Sequence, residues 1–205
     1  MARPGRRALV LGALAVAAAG PLLAAPPDPA APVVRVRAGL MAMSAHGWPP
    51  TQEAVEGLLA RNFDLDDIAR AVLGPQAPPI TPAQSRRLSH ALGLRLAREL
   101  VRAPPPGEGD GFAVVGRRSI GPGEWLVTTR GGGRGGMASP EAPDQPLVLT
   151  WRIKMSRGSP RIVDTLRDGV SSVAVQRQDL AGALHGRTPD QVIDLIERRA
   201  GSGSR

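Results

Sequence analysis

The sequence predicts an α+β fold: N-terminal helices, a four-stranded twisted antiparallel sheet, and C-terminal helices packing on that sheet, with an apolar cavity between. Two observations carry the order and pairing of these elements. Apolar residues recur at helical intervals up to about residue 102, switch to a period of two from Phe112 to Leu166, and return to helical spacing from Val173. The period-two segments follow one another with no helix between them, and such runs pair as an antiparallel sheet with one buried face. A chain of 205 residues is long enough for one domain with a substantial core.

The first element is a leader. Arg3, Arg6 and Arg7 precede the apolar run "ALVLGALAVAAAG" and the small residues of "PLLAAPP", which is the pattern of a secretory signal peptide over residues 1–25, with cleavage around Ala24 or Ala25. The uncharged stretch 8–27 also has the length of a membrane anchor. Ala, Gly and Pro favour lipid less than Leu and Ile do, so export is the expectation. Residues 26–32, "PPDPAAP", read as a proline-rich spacer, residues 33–200 as the domain, and residues 201–205 as a disordered tail.

Val33, Val36, Leu40 and Met43 mark a first helix that "HGWPP" stops. Thr51 caps a second, with Val55, Leu58 and Leu59 on its apolar side. In "FDLDDIARAVLG" Asp64 caps a third, Asp66 and Asp67 complement its dipole, and Gly74-Pro75 ends it. The longest helix, 82–102, opens on "TPAQ", a capping box of Thr81 and Gln84 around Pro82. Leu88, Leu92, Leu96 and Leu100, widened by Ala91, form its apolar stripe. Arg86, Arg87, Arg98 and Arg102 lie opposite.

In the first strand Phe112, Val114 and Gly116 alternate with Ala113, Val115 and Arg117. In the second, Trp125, Val127 and Thr129 oppose Leu126, Thr128 and Arg130. The clearest strand is "LVLTWRIKM", with Leu147, Leu149, Trp151, Ile153 and Met155 on one face. "SRGS" is a turn, and "RIVDTL" is the fourth strand. Asp168-Gly169 then forms a corner into a helix with Val173, Leu180, Ala181 and Leu184 on one stripe. "TPDQ" repeats the capping box with Thr188 and Gln191, starting a last helix that buries Val192, Leu195 and Ile196.

The formal charge is +8, or about +5 without the leader, and Lys154 is the only lysine among 26 basic residues. The arginines are dispersed and not interleaved with aromatics, which argues against nucleic acid as a partner. With no cysteine, disulfides and thiolate metal sites are excluded. Gly131, Gly133 and Gly136 fit GxGxxG, but the proline-rich "MASPEAPDQP" behind them cannot form the helix that a dinucleotide site needs. Asp64, Asp66 and Asp67 are explained by a helix start. His46 and His185 sit at helix ends, where an imidazole meets the last carbonyls, and His90 lies among arginines. No zinc-binding spacing is present, and Ser171 lacks a nucleophile elbow. No catalytic residue, metal or cofactor is therefore expected. An enzyme whose groups assemble across the sequence and an adaptor with a solid core are the alternatives.

The segment "RIVDTLRDGVSSVAVQRQDL" resembles the C-terminal signature of the MlaC family of periplasmic phospholipid-binding proteins, also called toluene-tolerance auxiliary proteins. Val163, Asp164, Gly169, Val170, Ser171, Arg177 and Leu180 stand at the matching places. "FDLDDIARAVLG" followed by "TPAQSRRL" is similar to the family's upstream run. "PQAPP" and Val175-Gln176 depart from it, where relatives commonly carry a Trp and a Tyr. The resemblance, which covers about residues 33–199, implies a periplasmic carrier that shuttles phospholipid between an outer-membrane lipoprotein complex and an inner-membrane ABC transporter. A hopanoid is the alternative cargo. It also implies that the sheet face and the long helix enclose a lipid-binding cavity, for which the expected lining is Leu88, Leu92, Leu96, Phe112, Val114, Trp125, Val127, Leu149, Trp151 and Ile153. Periodicity alone does not separate a lined cavity from a filled core.

Overall fold

The computed structural model describes residues 26–75, 77–102, 111–131, 147–184 and 186–201. The leader, residues 132–136 of the glycine run, His185 and residues 202–205 of the tail lie outside them. The fold is mixed α+β: among the described residues, six helices and one antiparallel sheet. The helices are α1 (Ala31–Ala45), α2 (Gln52–Asn62), α3 (Leu65–Leu73), α4 (Pro82–Arg102), α5 (Ser172–Leu184) and α6 (Pro189–Gly201). The strands are β1 (Ala113–Gly121), β2 (Glu124–Gly131), β3 (Leu147–Ser156), β4 (Ser159–Arg167) and β5 (Val170–Ser171), in sheet order β1-β2-β3-β4-β5. The count is five strands, not the four read from the sequence. The fifth is only two residues long, too short to show a period.

Local chemistry sets most helix starts. The Thr51 hydroxyl accepts from the Ala54 N–H at 3.3 Å, and Asp64 Oδ1 accepts from the Asp67 N–H at 2.9 Å. Both capping boxes close. Gln84 N–H donates to Thr81 Oγ1 at 3.2 Å while Thr81 N–H donates to Gln84 Oε1 at 2.8 Å. Thr188 and Gln191 repeat the exchange at 2.9 and 3.4 Å. His46 Nδ1 lies 2.8 Å from the Ala42 carbonyl at the end of α1. That helix begins at Ala31, inside the stretch read as spacer, and buries Pro32.

Helix α4 is the hub, packed by α2, α3 and α6. Its Leu88 and Ala91 are fully buried, and a Cβ on Gly93 would meet Leu65 Cδ1 at 3.0 Å, so glycine lets α3 approach closely. On the arginine side Arg86 is exposed, but Arg87 is tied to α6. Arg87 reaches Glu197 at 2.7 Å, Asp194 at 2.6 Å and Asp190 at 3.2 Å on α6. The hydrogen bonds that Arg87 donates, to Glu197 first and then to Asp194, push its guanidinium pKa still higher. Helix α6 buries Val192, Ile193 and Ile196, with Ile193 rather than Leu195 in the core.

Three register shifts break the strand alternation, and one of them, between Ser119 and Gly121, sits next to the β1–β2 turn. Register shifts between Val114 and Gly116, leaving Val115 52% exposed and bringing Arg117 opposite Val127. Arg117, expected on the outer face, instead forks onto Asp28 at 3.0 and 3.2 Å, just ahead of α1. That hydrogen bond, helped by the Ala30 N–H, holds the Asp28 carboxyl below the usual carboxylate range. The shift between β3 and β4 skips Val163, so Asp164 pairs with Arg152 and Thr165 with Trp151.

The Asp168-Gly169 corner is a hairpin. Both residues have positive φ, 51° and 80°, as a two-residue type I′ turn requires, and Val170 returns to pair with Arg167. Asp164 ties this hairpin to α5. Its Oδ1 accepts from the Thr165 and Val173 N–H groups at 2.8 and 3.1 Å, and its Oδ2 from the Ser171 hydroxyl at 2.5 Å. Ser171 Oγ in turn accepts from the Ala174 N–H at 3.0 Å, capping the helix.

Candidate functional site

Between the inner sheet face and the helices lies a cavity of about 590 Å3. Val33, Val36 and Leu40 come from α1, Leu65 and Ile68 from α3, and Leu92, Leu96 and Leu100 from α4. The sheet supplies Thr129, Leu147, Leu149 and Trp151, and Phe63, Phe112 and Val173 complete the apolar wall. Apolar side chains of α1, α3, α4 and β3 meet here. Leu40, Phe63, Ile68, Leu92, Trp151 and Val173 are buried, so the wall is set back from the protein surface as well as apolar.

The polar groups in the wall are mostly spoken for. Trp151 Nε1 donates to Thr129 Oγ1 at 2.8 Å, so the indole keeps its partner while its ring faces the space. Asp164 carries the three bonds described above. Thr165 Oγ1 and Ser172 Oγ share a hydrogen bond of 2.8 Å.

One end of the lining differs. Strand pairing places Gly131 opposite Leu147, and Leu149 opposite Arg167, so these residues mark one end of the sheet. Arg37, Arg95, Glu99, Arg167 and Gln176 also line the cavity. Arg37 lies over the Phe112 ring, 5.5 Å from its centroid, and Arg95 Nε donates to Glu99 Oε1 at 3.0 Å. Glu99 and Arg167 are exposed. The cavity therefore changes from buried and apolar to exposed and charged at this end, which is its mouth.

Of the ten residues expected to form the lining, Leu92, Leu96, Phe112, Leu149 and Trp151 stand around the cavity. The other five lie in or against the solid core. Leu88, Val127 and Ile153 are fully buried, and Val114 and Trp125 pack against the core partly buried. Sequence reasoning did not assign the α1 and α3 contributions, Val33, Val36, Leu40, Leu65 and Ile68, to the cavity. Their helical spacing was visible, but not what they face. The charged mouth left a fainter signal: Arg95 and Glu99 interrupt the border of the Leu92–Leu96–Leu100 stripe.

The three aspartates at the start of α3 serve packing. Asp64 caps, Asp66 accepts from the Ser89 hydroxyl at 2.7 Å, and Asp67 bonds Arg70 at 2.8 Å and Lys154 at 3.3 Å. Burial alone raises the Asp67 pKa, but the hydrogen bonds from Arg70 and Lys154 outweigh it and hold the carboxyl below the usual range. Among the described residues no group of His, Asp or Glu is arranged to hold a metal ion, and no helix is long and apolar enough to cross a membrane.

Comparison with known proteins places this architecture. A search of curated proteins found no match. Among solved structures the chain is similar to a phospholipid-binding protein from Ralstonia solanacearum, solved in complex with a phospholipid. The TM-score is 0.62 at 14% identity, over 83% of this chain and 93% of that one, a likeness of fold. A family model described as MlaC protein matches residues 49–198, a span that runs from α2 into α6 and holds the whole sheet. The chain belongs to the MlaC family.

Proposed function

We propose that this protein is a phospholipid carrier that holds acyl chains in the cavity and leaves the headgroup at the charged mouth. The observation that carries the reading is a space of about 590 Å3 walled by aliphatic and aromatic side chains from four helices and the sheet. That volume falls within the range of ligand sites, roughly 300–1,000 Å3. A diacyl lipid hides about thirty methylenes at about 0.8 kcal/mol each, so unassisted escape into water is negligible and an apolar interior is what a carrier must supply. Burying the headgroup as well would cost several kcal/mol, which a mouth lined by arginines avoids. The similar fold of a phospholipid-binding protein from another organism supports the same cargo class.

The leader pattern and the family support a setting in the periplasm, where the carrier works as the soluble component of an ABC-type lipid transport system. It takes lipid from one membrane complex and delivers it to another, an outer-membrane lipoprotein complex and an inner-membrane ABC transporter. An enzymatic reading is disfavoured by the occupied state of the lining carboxylates. Asp164 is held by two N–H groups and a hydroxyl, and Glu99 by Arg95.

The test is uptake. Delipidated protein incubated with phospholipid vesicles and separated from them should carry about one phospholipid per chain on extraction. Leu149→Asp should reduce that load, whereas Arg86→Ala, at an exposed position outside the cavity, should leave it unchanged. Protein that acquires no lipid contradicts the proposal.

A further inference from the structure

We infer that a second cleft, behind the apolar cavity, binds a phosphate-class oxyanion. It lies between α3, α5 and strands β3 to β5, and all of its lining residues belong to those elements. Its space of about 230 Å3 is several times the roughly 30 Å3 share of one water molecule, enough for a phosphate and a small substituent. Asp164 and Val173 line both spaces, so the two back onto each other there. Three cationic side chains line the cleft. Arg152 and Lys154 come from the side of β3 opposite Trp151 and Ile153, and Arg177 comes from α5.

What the cleft offers an anion is unused donors. Arg177 commits its Nε to the Ala71 carbonyl at 2.8 Å, which fixes the guanidinium against the last turn of α3. Among the described residues its four remaining N–H groups have no partner. Lys154 gives one of its three N–H groups to Asp67 at 3.3 Å, and Arg152 one of its five to Glu124 at 2.8 Å. The two carboxylates in the wall are taken up. Asp67 also accepts from Arg70 at 2.8 Å, and Asp164 accepts from the Thr165 and Val173 N–H groups and the Ser171 hydroxyl. Beneath the cations lie Val163 and Val173, both buried, while Ala71 and Ala174 leave the room between the helices. An apolar floor lowers the local dielectric, so a charge-assisted bond is stronger here than on open surface. Donors on two walls suit a tetrahedral anion, whose oxygens point several ways at once, and the arginine forks match its geometry.

The test is isothermal titration calorimetry of the purified protein with inorganic phosphate at neutral pH, with ionic strength held by chloride. The expected result is saturable binding of one phosphate per chain. Arg177→Gln should weaken it about tenfold, the scale of a lost charge-assisted bond. Ala174→Leu, which fills the cleft from an exposed position and leaves every charge in place, should abolish it without moving the urea midpoint. Arg86→Gln, an equal loss of charge on α4, should bind as the wild type does. A phosphate can arrive free or on a lipid headgroup, and titration with glycerophosphoglycerol separates the sources. Tighter binding of that phosphodiester assigns the cleft to a headgroup, and weaker or equal binding assigns it to the free anion. No saturable phosphate binding by the wild-type protein overturns the inference. So does binding that survives in Ala174→Leu, or that falls as far in Arg86→Gln as in Arg177→Gln. Lipid uptake into the apolar cavity is measured separately, so the carrier reading stands or falls on its own test.

Discussion

At one end of the sheet–helix interface the side chains fill the space between the layers; at the other, residues of the same kind stand around a hollow. On β3 the change falls between Ile153, fully buried in the core, and Trp151, Leu149 and Leu147, which face the cavity. On α4 it falls between Leu88 and Leu92, one helical turn apart. Each stripe continues across the boundary without a change in residue type. What differs is the opposite wall: near Leu88, helices α3 and α6 press onto α4, through the Asp66–Ser89 bond and the Arg87 cluster. Toward the mouth the sheet and α1 stand away from α4. A stripe of leucines thus specifies which way a helix faces, and the placement of its neighbours decides whether that face packs or encloses.

The comparison can be broken most directly by truncation. Leu88→Ala or Ile153→Ala should cost about 2–5 kcal/mol in urea unfolding, because each leaves a void in a filled core. Leu96→Ala or Leu149→Ala should cost less than about 1 kcal/mol, since each enlarges a space already empty. Equal losses at both ends would mean that the hollow is packed in solution. Asp164→Ala comes next, at about 2–3 kcal/mol, because it orphans two N–H groups and a hydroxyl at the joint between the layers. Ser171→Ala, which removes only the cap and one donor to Asp164, should cost about 1 kcal/mol.

Function separates the two ends in the other direction. Leu149→Asp should lower lipid load about tenfold or more, since a carboxylate among acyl chains is costly, and should change the urea midpoint far less than Ile153→Ala does. Ile120→Asp, on an exposed strand position, should alter neither. An unchanged load in Leu149→Asp would place the cargo elsewhere.

The smallest effect expected is on pH. Asp28 and Asp67 have folded-state pKa values below their unfolded ones. Their stabilisation is therefore complete above the ordinary carboxylate pKa of about 4 and is lost as pH falls through the lower folded value. Urea midpoints measured between neutrality and about pH 3 should decline over this acid window. Asp67→Asn should be slightly less stable at neutral pH and should lose less on acidification. A midpoint that rises as the pH falls through that window would reverse the sign.

Features governed by near neighbours were legible in the sequence. Thr51, Asp64, Thr81 with Gln84, and Thr188 with Gln191 all make the capping bonds that their spacing predicts, because a cap involves residues within one turn. The alternation in β3 likewise gave the inner face correctly. The bulges at Val115 and Val163 were not legible. An extra residue in a strand is defined by its partner strand, so Arg117 could not be seen to cross to the face where Asp28 waits. The Asp168-Gly169 dipeptide is itself a hairpin signal, but the strand it returns to is two residues long. For the cavity, five of the ten expected lining residues surround it and five do not, and the divide lies within single stripes. Nothing local in Leu88 and Leu92 distinguishes them.

Native mass spectrometry of the protein purified from the periplasm of an expressing cell tests the carrier reading most directly. The account predicts a population heavier than the bare chain by the mass of one phospholipid, lost on delipidation and regained after incubation with vesicles. A single species at the mass of the bare chain, unchanged by vesicles, would contradict it.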